Sequence, residues 1–126
     1  MNELQWRTIE ELKGFTLTKV ERIEDWQDSE ELHFVRDDGK RVIMYHSQDC
    51  CESVTLEDID GKLDDLVGSP ILEAEEAWKD ASDQSEYDDS ETWTYYKLGT
   101  AKGSVSLRWV GSSNGYYSES VDILVE

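Results

Sequence analysis

His46, Gln48, Asp49, Cys50, Cys51 and Glu52 fall within seven consecutive positions, and no other stretch of the chain gathers so many side chains able to do chemistry. His46 beside Cys50 or Cys51 offers a base and a thiol nucleophile, with Asp49 or Glu52 free to orient the imidazole. A thiol hydrolase also needs oxyanion donors and a setting that favours the thiolate, such as a helix N-terminus, and nothing around this run marks either. The same side chains are zinc-ligand types. Adjacent cysteines rarely both reach one ion in a tetrahedral site, however, and no second CxxC or HxxxH pair exists in the chain. Glu57, Asp58, Asp60 and Gly61 resemble half of a calcium loop, but with Asp60 and Gly61 in their places the first ligand position falls on Leu56 and the last on Val67. Glycine-rich phosphate loops of either common type are absent. The expectation is therefore no metal, no cofactor and no catalytic residue, leaving the run either as a binding loop or as a tight connection whose thiols are small buried fillers.

The elements that hold this run are short strands. Arg41, Val42, Ile43, Met44 and Tyr45 form a β-branched and apolar stretch before it, and Val54, Thr55 and Leu56 begin another after it. Upstream, Leu32 to Val35 and Val42 to Tyr45 flank Asp38-Gly39, a hairpin signal because that turn needs positive φ. Phe15 to Ile23 alternates until Val20 and Ile23 break the period, which predicts a strand with a bulge near Lys19. Thr8 to Gly14, with acids in its first turn and Gly14 at its end, predicts a short helix. Lys62 to Val67 predicts a helical turn ended by Gly68 and Pro70. Residues 71–78 read as helix or strand on local grounds. From Lys79 to Glu91 the chain is acidic and polar and reads as a solvated loop. Thr92 to Leu98, Ser104 to Val110 and Tyr116 to Val125 read as a three-stranded meander, with Asn114-Gly115 as its second turn. The fold class is α+β, mainly an antiparallel β-sheet or meander with one or two short helices.

With 126 residues the chain makes one domain, large enough to bury a core. Thirty acids against twelve bases give a net charge of -18, which excludes sequence-independent binding of DNA or RNA, since neutralising phosphates drives such binding. A small anion is a different case, because a pocket can carry local cations within a screening length of about 10 Å. No window is apolar enough to span a membrane and no signal peptide is apparent, so an intracellular protein with free thiols in a reducing cytoplasm is expected. Such acidity also fits mimicry of nucleic acid.

Alternation places Ser104, Ser106 and Arg108 on one side of their strand and Val105, Leu107 and Trp109 on the other. Arg108 is the only arginine after Arg41, and its fork suits a pyrophosphate. The competing reading is a surface arginine paired with one of the many acids.

The run His46 to Val54, followed by Glu57 to Gly61, Leu66 to Leu72, Thr92 to Lys97 and Ser113 to Asp122, resembles the first family of Thoeris anti-defence proteins, which are encoded by phages and prophages. The likeness runs from about Val42 to the C-terminus and departs most in the first forty residues and in residues 79–91. It implies a non-catalytic sponge in the host bacterial cytoplasm that sequesters the cyclic ADP-ribose isomer made by TIR-domain enzymes. It also implies a homo-oligomer, dimer or hexamer, with pockets between protomers, and a second set of sites for cyclic oligonucleotides. It favours a strand for residues 71–78. On that reading Arg108 holds the pyrophosphate, while Trp93, Tyr95 and Tyr116 offer stacking surfaces. Asn114, Glu119 and the loop with His46, Asp49 and Glu52 bind ribose hydroxyls. Exposed Trp6, Trp26 and Trp78 would suit interfaces. The two rival readings are an acidic nucleic-acid mimic that blocks a host protein, and an enzyme that cleaves the signal.

Overall fold

The computed structural model describes residues 5–6, 8–24, 30–47, 51–82, 90–115 and 117–126, with Gln5 and Trp6 as backbone only. Asp49, Cys50, Trp26 and Tyr116 lie outside the described residues. In chain order the elements are β1 (Gln5–Trp6), a 3-10 turn (Ile9–Leu12), β2 (Leu17–Glu24), β3 (Glu30–Arg36), β4 (Arg41–Tyr45) and β5 (Ser53–Asp60). A second 3-10 turn (Leu63–Leu66), β6 (Glu73–Asp80), β7 (Ser90–Thr100), β8 (Gly103–Ser113) and β9 (Asp122–Val125) follow. The strands form a five-stranded sheet in the order β1-β9-β4-β3-β2 and a four-stranded sheet in the order β5-β8-β7-β6. Every pairing between these strands is antiparallel. The mainly antiparallel class read from the sequence is the observed one, and its two short helices are single 3-10 turns.

Period-two alternation builds the core between the sheets. Leu32 and Phe34 of β3, Val42 and Met44 of β4 and Ile123 of β9 meet Leu56, Tyr96, Leu98, Val105, Leu107 and Trp109 of the other sheet in one buried cluster. Trp109 donates its indole N–H to Met44 Sδ at 3.1 Å across the two layers. Asp38 and Gly39 turn β3 into β4 with Gly39 at φ 87°, and β2 carries a register shift between Leu17 and Lys19, both as expected. Residues 71–78 resolve toward the strand, which reaches Asp80.

The C-terminal meander stops one strand early. β7 and β8 pair over their whole length, but β9 leaves that sheet and inserts between β1 and β4. The reason lies at Gly111, on the inner face of β8 opposite Val54 and Thr92. A Cβ there would sit 2.4 Å from the Glu119 carbonyl oxygen. Residues 117–121 therefore cross the inner face of the sheet in irregular conformation, pressed on a bare glycine, and deliver β9 to the other layer. Gly111→Ala sets a propensity gain of about 0.5–1 kcal/mol against an overpacking cost of about 1–3 kcal/mol. Because the clashing atoms are backbone, the cost prevails. Denaturant unfolding should show a net loss of roughly 1–2 kcal/mol, and an unchanged midpoint would mean that the crossing gives way freely.

Candidate functional site: a cationic and aromatic platform

The outer face of the four-stranded sheet is set by the odd-numbered residues of β7. Register places Tyr95 between Arg108 of β8 and Ala77 of β6, and Trp93 between Val110 of β8 and Lys79 of β6. Arg108 therefore reaches diagonally to Trp93, its guanidinium carbon 4.9 Å from the ring centroid. Lys79 approaches the same ring from the other strand, with Nζ at 4.6 Å. The indole N–H donates to Glu91 Oε2 at 2.8 Å, which fixes the ring plane. The arrangement is a half-buried aromatic surface with one cation supplied from each neighbouring strand.

Arg108 differs from the other described arginines. Arg22 bonds Glu30 through two nitrogens. Arg36 bonds Asp38, and Arg41 reaches His33 Nδ1 at 3.0 Å. Arg108 has Asp58 as its register partner, yet forms no ion pair with it, and a bulge between Leu56 and Asp58 disturbs the strand at that point; bulges re-aim side chains. Its Nε is buried and makes no hydrogen bond among the described residues. In a chain with 30 acids and 12 bases, a guanidinium that meets no carboxylate is unusual. A buried donor left unmade costs about 1–3 kcal/mol, and an incoming anion would recover it.

A second group lies on the inner side, under residues 117–121. His46 places Nε2 2.8 Å from Glu52 Oε2 and Nδ1 2.7 Å from the Ser120 carbonyl. Both nitrogens face acceptors. The two side chains are 5% and 0% exposed. This pair ties the connection after β4 to the crossing segment. Nearby, Glu119 accepts from Thr92 Oγ1 at 2.8 Å and from Ser113 Oγ at 2.5 Å. The Ser113 hydroxyl also accepts the Gly115 N–H at 2.9 Å. Cys51 is disulfide-bonded, and the only other cysteine is its neighbour Cys50, so the expectation of a free thiol at Cys51 is not met. Adjacency allows two cysteines to close a small ring without any long-range framework.

A family model spans residues 2–123 of this chain. The chain belongs to the family Domain of unknown function (DUF7448). No curated protein and no solved structure matches it.

The DUF7448 fold divides the side chains named from the sequence into three places. Arg108, Trp93 and Tyr95 come together on the platform. Glu119, His46 and Glu52 sit on the opposite side of the sheet, within the packing of the crossing segment. Asn114 is exposed and lines a small hollow of about 220 Å³ with Cys51, Ser53, Ser112, Ser113 and Tyr117. Asp49 and Tyr116 lie outside the described residues. Lys79 carries no signal in the sequence because it opens a polar stretch with the composition of a loop; only the long-range pairing of β6 with β7 puts it over Trp93. The separation of Glu119 from Arg108 has a similar cause: alternation implies a strand through residues 116–121, where the described chain is irregular.

Proposed function

We propose that this protein is a non-catalytic sponge that sequesters a TIR-produced cyclic ADP-ribose isomer in the host bacterial cytoplasm, so blocking Thoeris immunity. The family resemblance of its sequence suggests the ligand, and the observation that carries the chemistry is the unmatched guanidinium of Arg108 beside Trp93, Tyr95 and Lys79. A cyclic ADP-ribose offers a pyrophosphate for the fork and the lysine, and a purine for an aromatic surface. Local cations on one sheet face reconcile anion capture with a net charge of -18, since the repulsive field is screened over about 10 Å.

Sequestration is favoured over cleavage by the state of the one loop with catalytic side-chain types. His46 has both nitrogens engaged, so it is not poised as a base for a neighbouring thiol. Homo-oligomers remain part of the proposal. The edge strands β2 and β6 carry exposed apolar side chains, Ile23 and Trp78, of the kind found at interfaces.

The deciding experiment mixes the purified chain with a slight molar deficit of the TIR-derived signal, passes it through a small-pore filter, heat-denatures the retained protein and chromatographs the supernatant. Retention followed by release of unaltered ligand is the expected result. Altered product would replace the sponge with an enzyme, and free passage would leave the acidic nucleic-acid mimic as the better account.

A further inference from the structure

The even-numbered residues of β7 face the other way, into a cavity of about 390 Å³ lined by Glu76, Trp78, Ser90, Thr92, Thr94, Glu119, Ser120 and Val121. Among the described residues no lysine, arginine or histidine lines it. Glu119 is only 8% exposed, and its two oxygens take hydroxyl donors from Thr92 and Ser113; among the described residues no cation faces it. Buried carboxylates are ordinarily paired with a positive charge. Glu76 supplies a second carboxylate to the same space. Beside Glu76, the Tyr96 hydroxyl is buried and lacks a hydrogen bond of good geometry. Burial first, and then the close contact of its hydroxyl with Glu76 and the Glu76 charge, push its pKa up, so it stays a neutral hydroxyl. The wall is completed by Trp78, whose side chain is largely exposed and presents an indole surface.

We infer that this cavity is a binding site for an organic ammonium ion of the polyamine class, separate from the anion platform on the opposite face of the sheet. The missing counter-charge of Glu119 is the ammonium group, whose N–H donors match the carboxylates of Glu119 and Glu76 and the hydroxyls of Thr92 and Thr94. The methylenes and the charge lie against Trp78, in the manner of cation–aromatic recognition. An anionic ligand finds no cation there. A metal ion is a poor fit, since one wall of the space is indole and valine.

The test is calorimetric titration of the full chain with putrescine in 0.15 M sodium chloride, with 1,4-butanediol as the uncharged control of equal length and adenosine as a ribose probe. Saturable binding at one putrescine per chain is expected, with no heat from butanediol. Glu119→Gln should weaken it by at least about tenfold, the effect of one charge-assisted contact. Trp78→Ala should weaken it several-fold while the chain still folds, because that side chain is exposed within the chain; this variant decides the matter if Glu119→Gln does not fold. Non-saturating heats that vanish in salt would mean diffuse attraction to an acidic surface and overturn the inference. Equal binding of butanediol, or binding of adenosine that shares the sensitivity to both substitutions, would overturn it in favour of a neutral polyhydroxyl pocket. Indifference of putrescine binding to both substitutions would place the cation elsewhere.

Discussion

Arg108→Gln is expected to weaken capture of the cyclic ADP-ribose signal by about 100-fold while lowering the melting temperature by no more than about 5 °C. The first figure follows from two charge-assisted hydrogen bonds between a guanidinium fork and a pyrophosphate, each contributing about 1.5 kcal/mol, where 1.4 kcal/mol is a factor of ten in affinity. The second follows from what Arg108 does in the unliganded fold. It has no carboxylate partner among the described residues, and its visible contact is the ring of Trp93, worth about 0.5–1 kcal/mol at a half-exposed site. Arg108→Lys keeps the charge but not the fork, so an intermediate loss of about tenfold should separate geometry from net charge. Binding by filter retention and melting of the same samples give both readouts. If Arg108→Gln leaves capture intact and destabilises the fold, the side chain is a structural strand arginine and the platform is not the ligand site.

The two faces of β7 show why alternation is informative here. Trp93 and Tyr95 point to the platform while Thr92 and Thr94 line the acidic cavity, a division that period two dictates once the strand is recognised. The same rule assigns Arg108 and Trp109 to opposite faces of β8 from their positions in the chain alone. What alternation cannot say is which strand lies next door. Ile123 and Val125 have the pattern of a core strand in either sheet, and only the long-range pairing with β1 and β4 puts β9 in the five-stranded layer. Lys79 is illegible for the same reason, its partner Trp93 being fourteen positions away in sequence and adjacent only through the β6–β7 pairing. Turn chemistry, by contrast, is local. Asp38-Gly39 specifies its hairpin fully, whereas Asn114-Gly115 correctly marks a change of direction, with Gly115 at φ 88°, but not the irregular crossing that follows.

Charge placement ties these observations together. Arg108 and Glu119, neither of which meets an opposite charge at close range among the described residues, lie on opposite faces of one sheet, each next to a tryptophan. Elsewhere the fold answers its internal charges: Arg36, 5% exposed, meets Asp38 and the Glu11 carbonyl, and Glu52 meets His46. A sheet that tolerates an unanswered cation on one side and an unanswered anion on the other can take two ligands of opposite sign without moving a strand.

His46→Ala separates the structural role of the loop after β4 from the ligand-binding role that the sequence suggests for it. Glu52 has no exposed side-chain surface, and the His46 ring faces it at 2.8 Å. Removing one member of a buried pair typically costs about 3–5 kcal/mol, because the other charge remains in a poorly solvating interior. The substitution also releases the Ser120 carbonyl, loosening the crossing that presses on Gly111. A fall in melting temperature of roughly 10 °C is therefore expected, with affinity for the cyclic ADP-ribose signal unchanged at temperatures where the variant is folded, since Arg108 and Trp93 lie on the other face. The double substitution His46→Leu with Glu52→Leu removes both polar partners and should recover most of the loss, as apolar replacements of buried pairs commonly do. A variant of full stability and abolished capture would reverse the assignment: His46 would then touch the ligand, and the loop of residues 46–52, not the platform, would be the place where the signal is held.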